Sequence, residues 1–218
     1  MHQPAADAKQ AVASAGGKAL ALATRGMAAL RPAAKPLHPR GELVAGLLQR
    51  HGSSVPSGSP WVDHPGRDEV VARLSRAVGL PDALPDIHGL AVRVLGPQGD
   101  GDILLASTGW GRFGRHVLTA GRRPGSRPLT TLLPYRTSRG AVLLGAREST
   151  PRTFELSWSR AGGSWHHFAE LRLEDASHPD QPISFDPVRN QLPGLEQYPW
   201  VVRLREPAYL KARRSRGA

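Results

Sequence analysis

The 218-residue sequence contains no cysteine. Disulfides, thiolate nucleophiles and thiolate metal sites are therefore excluded, and any bound metal must be held by histidine, tyrosine or carboxylate side chains. Long apolar runs are also missing, since no stretch approaches the roughly 18 uninterrupted apolar residues of a membrane-spanning helix. The first ten residues, MHQPAADAKQ, lack the charged-then-apolar order of a secretory signal. We expect a cytoplasmic protein with no membrane partner.

Acidic residues are few relative to basic ones, which leaves a net charge of +11. Such an excess favours acidic partners in general, and nucleic acid is the obvious candidate. However, the charge is carried mostly by arginines spread along an Ala-, Gly- and Pro-rich chain, and a coding bias toward arginine would give the same number. We therefore do not expect a nucleic-acid partner, and a homo-oligomer stays open.

The N-terminal segment differs in composition from the rest of the chain. Residues 3–30 are Ala-rich with a patchy helical stripe, which Pro32 and Pro36 would end. We predict a helical N-terminal arm over residues 1–34 and a single folded core over residues 35–218.

Short β-rich segments separated by Gly, Pro or Asp turns dominate the core. The predicted strands are Gly89–Leu95, Asp102–Ala106, Ala141–Ala146, Thr153–Ser159 and His167–Leu173. The Gly-rich link GPQGDGD between the first two reads as a hairpin turn, because no Lys-Ser/Thr pair of a phosphate loop follows it. The pattern predicts an α+β, mainly β protein, with an antiparallel sheet or barrel and flanking helices.

Three other segments are interpreted as follows. Residues 42–48, ELVAGLL, fit a buried strand with a close backbone approach at Gly46 as well as a helical turn. Residues 51–66 are rich in Ser, Pro and Gly and are predicted to be a surface loop. Residues 68–78 carry apolar side chains at helical spacing and are predicted to be a helix.

The C-terminal segment combines one tyrosine with several arginines. A helix from about Glu206 would place Arg205, Tyr209, Arg213 and Arg216 on one face. Neighbouring positive charge lowers the pKa of an acid and favours the phenolate, which is a ligand for ferric haem iron in catalase. The alternative is a solvated basic tail with one anchoring tyrosine.

Five blocks in order resemble the haem catalases. They are His38-Pro-Arg40-Gly41 followed by Gly46, Arg73-Leu-Ser75 followed by Gly79, Gly89–Asp102, the FDPVRNQLPGLE run Phe185–Glu196, and the R-x-x-x-Y run Arg205–Tyr209 with Arg214 and Arg216 after it. The resemblance covers residues 35–113 and 183–217.

The resemblance implies a catalase-type β-barrel that binds haem b, with a C-terminal helix carrying the iron ligand. Tyr209 would be the proximal iron ligand beside Arg205, His38 the distal acid–base, and Ser75 the residue that orients the His38 ring. Lys35, Arg73 and Arg216 would bind the haem propionates. The implied substrates are hydrogen peroxide or an organic hydroperoxide together with an unknown reductant.

The sequence also departs from the catalase pattern. Ala106 stands where catalases carry the asparagine that holds peroxide, and Gly111 and Arg112 replace an aromatic pair. Peroxidase-like turnover with weak or no catalase activity is therefore expected. The alternatives are a haem carrier, sensor or structural module without turnover, and a basic scaffold that has lost haem.

Two weaker signals concern histidine and tryptophan. His166 and His167 should point to opposite faces of a strand, so they cannot share one metal without distortion. The five tryptophans are expected in the core or lining a pocket, because they are not interleaved with basic residues as a stacking platform would be.

Overall fold

The computed structural model describes residues 41–77, 84–97, 99–178 and 183–204. The described strands are Gly41–Arg50 (β1), Gly66–Arg76 (β2), His88–Val94 (β3), Gly101–Ser107 (β4), Leu129–Thr130 (β5), Tyr135–Thr137 (β6), Gly140–Thr150 (β7), Thr153–Arg160 (β8), His166–His178 (β9) and Glu196–Gln197 (β10). Their pairings are all antiparallel.

Eight of these strands close into a barrel. The order β7-β5-β4-β3-β2-β1-β9-β8 returns to its start because β8 also pairs with β7. Strands β6 and β10 extend the sheet sideways from β7. Closure leaves the eight barrel strands without an unpaired edge, which is how antiparallel sheets avoid edge-to-edge association. The predicted mainly β, antiparallel barrel is confirmed.

Helical structure is sparse among the described residues. It comprises a one-turn helix, Pro60–Asp63 (α1), a 3₁₀ turn at Gly114–His116, and residues 199–204, which are helical up to the last described position. The predicted N-terminal arm, its boundary at residue 35 and the helix from Glu206 lie outside the described residues.

Side chains alternate between the barrel interior and its outer face, as strand geometry requires. In β3, His88, Leu90, Val92 and Val94 are buried, whereas the residues between them are half-buried. Large side chains fill the interior, and Trp158, Phe154 and Phe168 among them are fully buried. Because this interior is occupied by its own side chains, a ligand site on the described barrel has to lie on the outer face or at its ends.

The helix predicted for residues 68–78 is wrong, because residues 66–76 form strand β2. The same segment carries Val70, Ala72 and Leu74 at a spacing of two, and these side chains face the core. An apolar run of this length fits both the helical period of 3.6 residues and the strand period of two. Pairing with β1 on one side and β3 on the other decides for the strand.

The ambiguous run at residues 42–48 belongs to strand β1. A β-bulge lies between Val44 and Gly46, and the carbonyl oxygen of Arg172 sits 2.6 Å from where a Cβ on Gly46 would be. The close backbone approach predicted at Gly46 is therefore confirmed. Only glycine, which has no Cβ, lets the backbone of β9 approach β1 this closely.

The surface loop predicted for residues 51–66 is only partly right. Helix α1 inserts Trp61 and Val62 into the core, and the Trp61 ring packs edge-on against Phe168 at 5.7 Å. Arg50 lies over the Trp61 ring and donates hydrogen bonds to the carbonyls of Trp61 and His64. This segment thus contributes to the barrel core.

An irregular strap, residues 183–195, is fixed to the barrel through Asp102. The Asp102 carboxylate accepts two hydrogen bonds from the Arg93 guanidinium at 2.8 Å, one from the Asp186 backbone N–H and one from the Asn190 amide. The Asp102 side chain is fully buried. The strap also places Leu192 and Leu195 in the core.

Replacing Asp102 by Ala should lower the free energy of unfolding by about 3–5 kcal/mol, because the half-buried Arg93 guanidinium then loses its bidentate acceptor and the strap loses the buried carboxylate that holds it. Denaturant unfolding measures this change. Arg123→Ala serves as the control, since the Arg123 side chain is 73% exposed and its pair with Glu148 should contribute about 0–1 kcal/mol. Equal effects for the two variants would show that Asp102 does not anchor the strap.

Candidate functional site on the outer face of the barrel

Small residues line up across the outer face of four adjacent strands. In register, Gly41 of β1 lies opposite Ser75 of β2, Ser75 opposite Gly89 of β3, and Gly89 opposite Ala106 of β4. All four are half-buried. Strands lie about 4.8 Å apart, so this row is about 14 Å wide, comparable with a porphyrin ring.

A second row runs beside the first on the same face. Leu43, Arg73, Ala91 and Leu104 lie opposite one another in β1 to β4. We call the two rows together the outer shelf. Its side chains are mostly apolar, Leu43 is buried and the other members are half-buried. Arg73 is the only charged side chain of the shelf.

The Arg73 side chain has a defined position on the shelf. A Cβ added at Gly41 would collide with the Arg73 guanidinium. The guanidinium therefore lies over the backbone of β1, where any larger residue than glycine would displace it. The Gly41 of the H-x-R-G run thus has a steric role in positioning Arg73.

The first row continues beyond the shelf beneath a covering loop. Ala106 is followed in register by Thr130 of β5, Gly145 of β7 and Ser157 of β8, and these three residues are buried. The loop that covers them, residues 108–117, is held by Thr130, whose hydroxyl donates to the Arg115 carbonyl at 2.7 Å. This loop bounds the outer shelf on the β5 side.

Two tryptophans stack at this boundary. The rings of Trp110 and Trp165 lie 4.1 Å apart and nearly parallel, with Arg115 at 4.6 Å from the Trp165 ring and Arg147 at 5.6 Å from the Trp110 ring. Both rings pack on Gly145, where an added Cβ would lie 2.8–2.9 Å from each. Burial lowers the pKa of Arg115, although its guanidinium still donates to Ser159 and Gly163.

The aromatic residues near the altered catalase positions do not cover the shelf. The Trp110 ring stacks on the Trp165 ring, and the Phe113 side chain is 79% exposed. Of the tryptophans predicted in the core or a pocket, Trp61 and Trp158 are in the core, while Trp200 is exposed.

The strap reaches the same face of the barrel as the shelf. A third row, Ala45, Val71, Arg93 and Asp102, lies next to the second, and its Arg93–Asp102 pair holds the strap. The hydrogen bonds that Arg93 donates to the Asp102 carboxylate raise the pKa of Arg93. From the strap the chain passes through β10 into the helical residues 199–204.

The structure describes two of the seven predicted site residues. Arg73 and Ser75 lie two apart on β2, and both belong to the outer shelf. Lys35, His38, Arg205, Tyr209 and Arg216 lie outside the described residues.

Sequence reasoning missed the shelf as a unit. Its contributors come from four strands, and glycine or alanine at a single position predicts nothing by itself. One signal was present: small residues recur at a spacing of two in β3, at Gly89 and Ala91, on the face opposite to the bulky Leu90 and Val92. The resemblance offers no account of residues 114–182; the described part of this range contains β5 to β9, which complete the barrel.

The closed eight-stranded barrel with a strap on its outer face is a catalase-type fold. A fungal catalase structure resembles it with a TM-score of 0.61 at 12% sequence identity, over 88% of this chain. The match spans 61% of that catalase chain. At this identity the likeness concerns the fold. No protein-family model matches the sequence, and no curated protein matches it.

Among the described residues, no helix is long and apolar enough to cross a membrane. No cluster of three or more His, Asp or Glu side chains suited to a metal ion occurs within the same ranges.

The tryptophan stack yields a test of the shelf boundary. Gly145→Ala should lower the free energy of unfolding by about 1–3 kcal/mol through overpacking, and the circular dichroism of the coupled indoles should weaken. Gly111→Ala is the matched control, because a Cβ there would meet nothing within 4 Å. An unchanged indole signal in Gly145→Ala would contradict the described packing.

Proposed function

We propose that this protein binds haem b on the outer shelf and uses it for peroxide-dependent, peroxidase-like oxidation. The outer shelf carries the proposal: it is a band of small and mostly apolar residues across four strands, about 14 Å wide, with Arg73 as the proposed partner of a propionate. Apolar surface and a guanidinium suit a planar macrocycle with carboxylate substituents. The strap supports it further, because Asp102 fixes the strap to the same face of the barrel and the strap precedes the proposed ligand Tyr209 in the chain.

The cofactor would supply a redox-active iron able to split the O–O bond of a peroxide. The proposed tasks of the protein are to hold it and to move one proton. Tyr209, with Arg205 beside it, would ligate the iron as a phenolate, while Arg73, Lys35 and Arg216 would pair with the propionates. His38 would take a proton from the peroxide and return it to the leaving oxygen. Ser75 would orient the His38 ring by a hydrogen bond.

Ala106 favours peroxidase-like turnover over dismutation. It occupies the same row as Ser75 and Gly89, so its methyl group faces the shelf at the position where catalases present an amide. A methyl group cannot donate a hydrogen bond to a bound peroxide. The same loss also favours the second candidate, a haem carrier or sensor without turnover. The proposal includes a cytoplasmic location. It is compatible with a homo-oligomer.

The proximal ligand gives the first test. Haem titration should give one equivalent per chain with a Soret band, and Tyr209→Phe should weaken haem binding or change the ligation spectrum, because the ring's packing stays while the ligand oxygen is lost. Arg205→Leu should keep haem but shift the ferric charge-transfer bands.

Tyr198→Phe and Tyr135→Phe are the controls, since neither lies in the R-x-x-x-Y run. Tyr198 is preferable because it is only half-buried, whereas Tyr135 is in the core. A folded, colourless protein after titration would overturn haem binding. A wild-type spectrum in Tyr209→Phe together with loss in Tyr198→Phe would overturn the ligand assignment.

The second test restores the missing amide. The wild-type protein should evolve oxygen from hydrogen peroxide far more slowly than catalases while oxidising a one-electron donor with an organic hydroperoxide. Ala106→Asn should raise oxygen evolution by about tenfold or more, since one positioned donor contributes about 10²–10³-fold in a fully preorganised site. Ala91→Asn places the same amide in the neighbouring row as a control, and an equal gain there would contradict the assignment of Ala106.

A further inference from the structure

Two histidines outside the shelf meet at one end of the barrel. His51 follows directly on β1 and His167 lies in the adjacent strand β9, where the His51 backbone N–H donates to the Phe168 carbonyl at 3.0 Å. The His51 Nε2 and His167 Nδ1 atoms are 3.1 Å apart. His166, the neighbour of His167, packs instead against the Trp158 ring at 4.9 Å. His166 and His167 thus have different neighbours, as expected for adjacent residues of a strand, and His167 pairs with His51.

The outer nitrogens of this pair are both tied to backbone carbonyls. His51 Nδ1 lies 2.9 Å from the Gly52 oxygen, and His167 Nε2 lies 2.9 Å from the Ala169 oxygen. A carbonyl oxygen only accepts, so each of these two contacts is a hydrogen bond when the ring nitrogen carries hydrogen. In that tautomer of both neutral rings, the two inner nitrogens each present a lone pair to the space between the rings. A cation there, either a shared proton or a metal ion, would stabilise the pair.

We propose that His51 and His167 form a chelating site for a divalent transition metal, Cu²⁺ or Ni²⁺. With a metal–nitrogen distance of about 2.1 Å, nitrogens 3.1 Å apart subtend an angle of about 95° at the metal. This is close to the right angle between adjacent ligands in tetragonal Cu²⁺ and Ni²⁺ sites and narrower than a tetrahedral zinc site requires. A modest rotation of the two tilted rings directs both lone pairs at the ion.

The surroundings of the pair suit a bound cation. Metal-ligating histidines commonly donate their second N–H to a backbone carbonyl, which fixes the tautomer, and both rings already do so. The pair lines an open cleft of about 390 Å³ together with Ser53, Ser54 and Asp63, which leaves the remaining coordination positions to water. The Asp63 carboxylate accepts hydrogen bonds from the backbone N–H groups of Ser57 and Gly58 and has no ion pair within the described ranges. Asp63 thus adds one negative charge to the lining of the cleft.

The site is tested on the full chain by titration with CuCl₂ and NiCl₂. All proteins carry His2→Ala, because a histidine at position 2 offers a separate chelate with the amino terminus. Calorimetry should give one equivalent of metal, and electron paramagnetic resonance of the Cu²⁺ form should show two equatorial nitrogens. His51→Ala and His167→Ala should each lower the metal affinity at least about tenfold. Losing only the hydrogen-bond partner of a metal ligand already costs about 10–100-fold in affinity.

His166→Ala is the matched control and should bind metal as the parent does. If an alanine variant misfolds by circular dichroism, the Gln variants at positions 51 and 167 replace it. Tyr209→Phe should leave this site unchanged, which separates it from the haem proposal. The proposal is overturned if the parent, His51→Ala and His167→Ala bind metal equally well. It is also overturned if His166→Ala loses as much affinity as they do, or if the His51–His167 pair takes up a proton and no metal.

Discussion

The pairing of β7 with β8 is the interaction on which the rest of the structure depends. It turns an open run of strands into a closed barrel, and every barrel strand is then paired on both sides. Closure also fixes which side chains face inward, because a one-residue shift in register would exchange the two faces of a strand. The buried aromatic side chains of β8 and β9 occupy the interior as a consequence. A filled interior leaves the outer face and the ends of the barrel as the surfaces that can present a ligand site.

The outer shelf shows how closure and composition act together. Four strands from different parts of the chain each contribute a residue without bulk to the same row, and the row changes character at β5, where Thr130 anchors a covering loop. The strap is held on the same face by a buried carboxylate whose four hydrogen bonds come from β3 and from the strap itself. The shelf and the attachment of the strap at Asp102 therefore lie on one face of the barrel.

The histidine pair, unlike the shelf, depends on only two neighbouring strands. His51 and His167 meet because β1 and β9 are neighbours in the barrel, although they are separated by 116 positions in the chain. Their carbonyl partners are local, two residues away or fewer, so each ring is oriented by its own strand. The pair is a product of strand adjacency, and its proposed metal chemistry is independent of the shelf.

The amino-acid sequence by itself determined the class of fold, the strands at residues 89–95, 102–106, 141–146, 153–159 and 167–173, and the hairpin between β3 and β4, because alternation and turn residues are local signals. It also singled out Arg73 and Ser75 through a motif. Only the tertiary structure decided that residues 66–76 form a strand, since their apolar spacing fits both periods and pairing with β1 and β3 settles the choice. Likewise, the Gly41–Ser75–Gly89–Ala106 row and the His51–His167 pair exist only after closure, because strand register, which is a long-range property, brings distant residues to adjacent positions.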